Sequence, residues 1–260
     1  MAKDNIFSDE QVGRSGFLDE QDHLKSFAFN QNVARVFDDM VSRSVPGYEK
    51  VQEFTVNFGM EVILPKSSVY DLGCSTGTTL IRIAHSYLRK HEKNLSEIPK
   101  FIGIDSSIDM ITRCKEKLQS YELSTIIKIC QENIEDTKII DASLVISHYT
   151  LQFLKPTVRQ TILQNIYLGL MPGGHLILSE KVYFSNTRLQ DFVTEKYYNF
   201  KKANGYTQAE ISRKREALEN VLIPLTIEEN LKLLKNAGFS KVEIVSADLL
   251  FVTFVASKDI

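Results

Sequence analysis

The chain alternates short apolar runs with stretches in which apolar residues recur every three or four positions. SSVYDLG, KFIGIDS, TIIKICQEN, SLVISHYTLQF and HLILSEKV read as strands. Between them TTLIRIAHSYLRK, IDMITRCKEKLQSY and VRQTILQNIYLGL carry helical spacing, the last ending at Met171-Pro172-Gly173-Gly174. Strands separated by helices of about 10 to 15 residues predict right-handed βαβ units and a parallel, doubly wound α/β sheet. Two further helices precede this array. NVARVFDDMVSR places Val33, Val36, Phe37 and Val41 at helical spacing before the breaker pair Pro46-Gly47, and EKVQEFTVNFGMEVI runs up to Pro65. After it come a long polar helical stretch from Asn186 to Glu219 and the helix TIEENLKLLKNAGF. The chain then finishes in two β-rich segments, KVEIVSADL and LLFVTFVASK, separated by a turn too short for anything but antiparallel pairing.

The first predicted strand delivers into VYDLGCSTGTT, a glycine loop whose middle glycine is replaced by Ser75. A nicotinamide dinucleotide site requires G-x-G-x-x-G with an acidic residue about 20 positions on. Here only Gly73 and Gly77 remain and the acid at the end of the next strand, Asp105, lies farther away. A pyrophosphate needs bare backbone N–H groups at contact distance, whereas an amino-acid tail tolerates a hydroxyl. Ser75 and Thr76 therefore fit a methionine moiety better than a diphosphate. A parallel sheet ending in a hairpin, with this loop after its first strand, resembles the class I S-adenosyl-L-methionine-dependent methyltransferase fold, Rossmann-like, with an N-terminal helical extension (1–65) and a helical insertion (185–222) on a single domain spanning 1–260. Asp105 is placed to accept hydrogen bonds from two ribose hydroxyls. The competing reading makes Asp105 or Ser106 the N-cap of the following helix. Asn133 and Ile134 close the third strand, where Asn133 would present a donor and an acceptor to an adenine edge and Ile134 would cover its face; a plain turn is the alternative.

Composition narrows the picture further. The 260 residues carry 31 basic and 33 acidic side chains, a net charge of -2, which gives no general footprint for nucleic acid or an acidic membrane. Cys74, Cys114 and Cys130 lack CxxC spacing and the five histidines are scattered, so neither a disulfide framework nor a metal site is expected. The first residues have no signal-like apolar stretch, and the expected location is the cytoplasm. The charge runs LRKHEKN and FKK read as solvated faces. No G-x-S-x-G elbow follows a strand, which leaves acyl hydrolysis unsupported.

Five segments go beyond a fold: SRSVPGY (42–48), VYDLGCS (69–75), TLQFL (150–154), LSEK (178–181) and FKKANGYTQAEISRKREALENV (200–221). Together they are similar to the carboxy-S-adenosyl-L-methionine synthase family. The resemblance implies a transferase reaction in which prephenate becomes phenylpyruvate and its carboxyl group ends on the activated methyl of S-adenosyl-L-methionine. The product, carboxy-S-adenosyl-L-methionine, is the donor for modification of wobble uridine in tRNA by a separate tRNA carboxymethyltransferase, so no direct nucleic-acid contact, membrane contact or metal is implied. A sulfonium acidifies its methyl group, and carbon dioxide released beside it is captured if water is excluded.

The same resemblance places Tyr48, Gly73, Cys74, Ser75, Asp105, Ser106, Asn133, Ile134, His148 and Arg215 around the cofactor, with Tyr48 and Arg215 closest to the chemistry. It also implies a homodimer in which Arg215 crosses to the partner's site to meet the carboxylated methyl. Read alone, Arg215 is better explained by a surface pair with Glu219, and Tyr48 by a core position. Arg43 and Lys202 are candidates for the carboxylates of prephenate. Asn133 and His148 depart from the family's usual aspartate and asparagine; His148 would introduce a pH dependence or be a satisfied strand-end histidine. Cys74 is expected to serve by small size, and Cys114 and Cys130 by packing. Two other readings stand beside this one: a conventional methyltransferase acting on a small molecule or tRNA, and a non-catalytic nucleoside-binding module.

Overall fold

The computed structural model describes residues 28–91 and 97–260; the first 27 positions of the predicted N-terminal extension lie outside the described residues. Seven strands form one sheet in the order β3-β2-β1-β4-β5-β7-β6, with β1 Ser68–Leu72, β2 Lys100–Asp105, β3 Ile127–Gln131, β4 Ala142–His148, β5 Leu170–Lys181, β6 Lys241–Asp248 and β7 Phe251–Ser257. The first five pair in parallel, and β7 runs antiparallel to both β5 and β6. The strand order reverses between β1 and β4, the position at which such sheets open a crevice beyond their carboxyl ends.

Because side chains alternate across a strand, β1 feeds two cores. Val69 joins a layer with Leu80, Ile83 and Tyr87 of α3 (Thr78–Lys90) and Cys114 and Leu118 of α4 (Ile108–Ser120). Tyr70 and Leu72 join the opposite layer with Ile162 and Ile166 of α5 (Pro156–Gly169) and Leu234 of α8 (Ile227–Ala237). All five residues of β1 are buried, the polar Ser68 and Asp71 included. The helices α1 (Gln31–Ser44) and α2 (Tyr48–Val62) precede the sheet, while α6 (Thr187–Ala203) and α7 (Gln208–Ala217) divide the polar stretch at Asn204-Gly205. Gly205 takes the left-handed backbone conformation, φ 88°, that ends α6.

Three boundaries differ from the sequence expectation. The apolar run SHYTLQF does not continue β4: Tyr149 turns into the left-handed region, φ 57°, and Leu151–Phe153 forms a 3-10 turn. α5 stops at Gly169, before Met171-Pro172-Gly173-Gly174, since a Cβ at Gly169 would meet the Ile139 carbonyl oxygen at 2.4 Å. Those four residues instead form a bulge, so that Leu170 faces Ala142 while His175 faces Leu144. The helix α4 is capped by Ser107, whose hydroxyl accepts from Met110 N, rather than by Asp105 or Ser106.

Arg159 of α5 is 2% exposed and ties the helix to two separate segments. Its Nη2 donates to the carbonyls of Gln152, Leu154 and Ile223, and its Nε to Leu154. Removing it orphans buried carbonyl groups around the turn after β4. Arg159→Met is therefore expected to lower the unfolding free energy by about 3 kcal/mol, read by urea denaturation; a loss below about 1 kcal/mol would show that water or repacking replaces these bonds.

Candidate active site

The loop from β1 to α3 is bound to the end of β2. The N–H groups of Gly73 and Cys74 both donate to Ile104 O, at 2.8 and 2.9 Å. Ser75 N donates to Asp105 Oδ2 at 2.9 Å, while Ser107 N donates to Oδ1 at 2.9 Å. Ser75 sits at φ 49°, a strained conformation for a residue with a Cβ, and the charge-assisted bond to Asp105 helps to hold it there. Burial raises the Asp105 carboxyl above its ordinary range despite these N–H groups. The Ser106 N–H also bonds to this carboxylate, which leaves part of its acceptor capacity for further donors.

Both loop glycines are required by close neighbours. A Cβ on Gly73, at φ 78°, would stand 2.3 Å from Thr150 Oγ1 in the loop after β4. A Cβ on Gly77, at φ 80°, would stand 2.5 Å from the Cys114 sulfur. The loop after β4 has its own carboxylate. Glu180, buried in β5, accepts from Leu151 N at 3.1 Å. Burial pushes its pKa up to about 8 although Arg159 and the N–H groups of Leu151, Gln152 and Thr150 oppose the shift. Two carboxylates, the half-buried Asp105 and the buried Glu180, thus hold the loops that face each other across the β1/β4 reversal.

Between these loops lies a cavity of about 290 Å³. Its walls include Tyr48, Gly73, Cys74, Ser75, Asp105, Ser106, Asn133, Ile134 and His148. Nine of the ten residues singled out in the sequence therefore meet at one place. The tenth, Arg215, is not among the lining residues: on α7 its side chain is 63% exposed, with Nη2 3.9 Å from Glu216 Oε1. This partner is the adjacent residue, not Glu219 as surface spacing suggested. Lys202 is exposed as well, and the cation turned inward is its neighbour Lys201. Arg43 is engaged by Asp39, with bonds of 2.9 and 2.5 Å.

His148 is half-buried and satisfied: Nδ1 lies 2.8 Å from Ser179 Oγ and Nε2 3.0 Å from Thr55 Oγ1. Burial pulls its pKa down to about 3, so it is a neutral imidazole near neutrality and does not supply the pH dependence expected from an unperturbed histidine. The Cys74 thiol is pushed up by its hydrogen bond with Cys114 and by burial, which makes it unreactive. Thr76 lines the cavity, and its hydroxyl takes part in a polar lock: it donates to Asp38 Oδ1 at 2.7 Å, as does that of Thr78 at 2.8 Å, while Lys117 Nζ meets Asp38 Oδ2 at 2.8 Å. This cluster fastens α1 over the start of α3. Asn133 and Ile134 combine both readings, standing at a 3-10 turn over Ile134–Asp136 and lining the cavity.

Sequence reasoning missed three features of the same cavity. Asp71, 3% exposed in the middle of β1, is pushed up to about 7 by burial and by the negative charge of Asp105. Gln52 of α2 donates to Thr79 Oγ1, yet its buried Oε1 has no hydrogen-bond partner and calls for a donor. A carboxyl and a carbonyl oxygen in one dry wall fit the ammonium group of an amino-acid ligand, and Asp105 fits a diol. The residues present therefore suit S-adenosyl-L-methionine. An acid inside an apolar strand directly before a glycine loop was the signal for Asp71; α2 gave none for Gln52. The third feature is the pair Lys181 and Lys214, which line the end of the cavity beside Tyr197.

Among the described residues no helix is long and apolar enough to cross a membrane. Residues 63–238 match the profile of a methyltransferase domain family. The chain is 40% identical over 242 residues to the carboxy-S-adenosyl-L-methionine synthase of Shewanella pealeana, covering 93% of this chain and 97% of that protein. It is 44% identical over 234 residues to the enzyme of the same name from Trichodesmium erythraeum, covering 90% and 89%. Human N-acetylserotonin methyltransferase in complex with S-adenosyl-L-methionine shares the fold, with a TM-score of 0.58 at 15% identity over 88% of this chain and 56% of that one. With a class I methyltransferase fold and relatives of this identity along nearly its whole length, the chain belongs to the carboxy-S-adenosyl-L-methionine synthase family.

Proposed function

We propose that this protein makes carboxy-S-adenosyl-L-methionine from S-adenosyl-L-methionine and prephenate, releasing phenylpyruvate. The observation that carries this reading is the near full-length identity of 40–44% to carboxy-S-adenosyl-L-methionine synthases, joined to a cavity lined by both acids and lysines. S-adenosyl-L-methionine supplies an activated methyl group that accepts the carboxyl carbon. In this role Asp105 accepts the ribose hydroxyls, Asn133 and Ile134 hold the adenine, and Gly73, Cys74 and Ser75 run along the methionine tail with Ser106 nearby. Asp71 and Gln52 take the ammonium group. Tyr48, whose phenol is pushed up by burial, stays protonated and presents its ring and hydroxyl to the reacting centre.

The balance of the reaction is closed without a dedicated base. Prephenate loses carbon dioxide and hydroxide on aromatisation, the methyl group loses one proton as it gains carbon dioxide, and hydroxide and proton leave as water. The protein's part is to exclude bulk water and hold the two reactants together. We further propose a cytoplasmic homodimer in which the partner subunit's Arg215 pairs with the new carboxylate, a role supported by its exposed guanidinium and by the bidentate geometry that arginine offers. The product then passes to a separate enzyme that modifies tRNA.

Mass spectrometry of the small molecule released from purified protein is the direct test. A nucleoside one carboxyl group heavier than S-adenosyl-L-methionine is the expected outcome, and Arg215→Ala is expected to lose its preference for that species. Finding only S-adenosyl-L-methionine or S-adenosylhomocysteine, both before and after addition of prephenate, would replace this reading with a conventional methyltransferase.

Asp71 gives a pH signature. Its carboxyl is protonated in the free site below about pH 7, and a cationic ligand favours the ionised form, so binding below that value must expel a proton. Affinity for S-adenosyl-L-methionine is expected to weaken by up to about tenfold per pH unit below neutrality, measured by calorimetry. Asp71→Asn should bind more weakly near neutrality and lose this slope; a slope preserved in the variant would assign it to another group.

A further inference from the structure

The apolar stripe of α1 serves neither core. Phe37, Met40 and Val41 recur at helical spacing, with Ser44 one turn on, and all four line the cavity. Among the described residues, none from α1 belongs to either of the two layers that flank the sheet. Its own apolar contacts are a small satellite cluster, in which Val33 and Ala34 meet Met110 of α4 and Phe29 and Phe37 pack alongside. A helix in a globular protein is held mainly by burying such a stripe against a core. Here the stripe faces the space that suits S-adenosyl-L-methionine.

What fastens α1 is polar, and it acts on the two loops that face the ligand. At the β1 loop, Asp38 Oδ1 accepts from the hydroxyls of Thr76 and Thr78, and Asp38 Oδ2 accepts from Lys117 of α4. Lys117 Nζ also donates to Thr78 Oγ1 at 2.7 Å and to Thr76 Oγ1 at 3.2 Å, so the network closes on itself. At the β2 loop, Ser107 Oγ donates to Phe29 O at 2.6 Å, just ahead of α1, and the N–H of the same serine donates to Asp105. Burial opposes ionisation of Asp38, but Lys117 and the two hydroxyls pull its carboxyl below the ordinary range, and it stays charged at neutral pH. The opposite end of α1 is held more loosely. Tyr206 Oη reaches Met40 O, and Arg43 Nη1 reaches Asn204 O, only at 3.4 Å. There α1 joins α2 through Val45-Pro46-Gly47, where Gly47 takes φ 71°, a glycine turn able to absorb a change of direction.

We propose that α1 is a hinged cover over the S-adenosyl-L-methionine site and that Asp38 is the positioning residue that latches it, so that the bound nucleoside completes the packing of α1 and leaves only when the Asp38 network opens. The inference needs S-adenosyl-L-methionine as the ligand and does not depend on the carboxyl transfer proposed above. A ligand that fills the space under the stripe favours the closed arrangement by its differential affinity for the two arrangements. The latch then sets how long the closed arrangement lasts.

Hydrogen exchange of the full-length protein, read by mass spectrometry with and without S-adenosylhomocysteine, tests the cover. Without ligand, amides of residues 31–47 are expected to exchange at least about tenfold faster than those of α3, which is packed in a core. Saturating S-adenosylhomocysteine is expected to slow them by about tenfold or more and to leave α5 little changed. Asp38→Asn keeps the shape and removes the charge. It is expected to release labelled S-adenosylhomocysteine about tenfold faster, the scale of one charge-assisted contact, with an association rate no lower than that of the wild type. Lys117→Met strips the latch from the α4 side and should act in the same direction. The double variant should release the ligand no faster than the quicker single, because both substitutions remove one network. A variant that merely misfolds would raise exchange in β1 and α5 as well and slow association, and that pattern overturns the latch. Release within about twofold of the wild type overturns it too, and so does an α1 that exchanges as slowly as α3 in the ligand-free protein. Synthesis of the carboxylated nucleoside is scored separately. Its absence with the exchange pattern intact removes the synthase reading and leaves the cover; its presence without that pattern does the reverse.

Discussion

The hydrogen bond between Ser75 N–H and the Asp105 carboxylate organises the ligand-facing side of this protein. It joins the turn after β1 to the end of β2 and holds a non-glycine residue in a left-handed conformation. Without it, Ser75 would relax toward the broad β or α regions and the glycines on either side would no longer approach their neighbours. Gly73 meets Thr150, so the position of the β1 loop fixes that of the β4 loop. Glu180 secures the second loop from β5, and Arg159 ties it to α5 and to the segment at Ile223. A chain of polar contacts therefore crosses the β1/β4 reversal from β2 to β5, and the cavity is the space it frames.

That framework concentrates charge where folding alone would avoid it. Asp71 and Glu180 have pKa values raised to about 7 and about 8, Lys201 and Lys214 values lowered to about 8 and about 7. A buried carboxyl whose pKa rises on folding binds protons that the unfolded chain has released, so its stabilising contribution is lost as pH rises between its ordinary range and the raised value. For a lysine whose pKa falls on folding, the unfolded chain holds more protons below about pH 10, and stability is lost as pH drops through that window. The two sets add, and their combined contribution to stability is lowest near neutrality. Groups of this kind are retained where a ligand compensates them, the usual exchange of stability for function.

Much of the framework is legible in the amino-acid sequence because it is local. α3 spans the same residues as the amphipathic segment TTLIRIAHSYLRK, since Gly77 ends the loop and sets the first turn. The short link between β6 and β7 leaves only antiparallel pairing, and the predicted parallel order follows from the βαβ alternation. The misses share a different cause. Tyr149 breaks an apolar run because its N–H bonds to Ser179 O in β5 and the next residues face Glu180, partners distant in sequence. The bond of the Thr76 hydroxyl to Asp38, on a helix far earlier in the chain, is likewise absent from the local pattern. Lys201 and Lys202 are identical in type, and only the packing of α6 against Tyr206 and α1 decides which turns inward. The i, i+4 pair Tyr197–Lys201 is the local trace of that choice.

The cavity is polarised along its length. Asp71 lies on β1 and Asp105 ends β2, while Lys181 ends β5, two and three strands away across the sheet. For the proposed reaction, a cationic reactant would be favoured beside the acids of β1 and β2 and an anionic one beside the lysine that ends β5. The discrimination requires no flexible lid: it follows from the order of strands, which sets β1 and β2 acids apart from the lysine at the end of β5. Because the walls are largely apolar, the field acts at low effective dielectric and keeps its strength over the width of the cavity. The proposed transfer of the carboxyl group would require these walls to keep water from the reacting atoms. Orientation, charge selection and exclusion of water thus come from one placement of side chains, and a base within the protein is not required for the atoms and protons to balance.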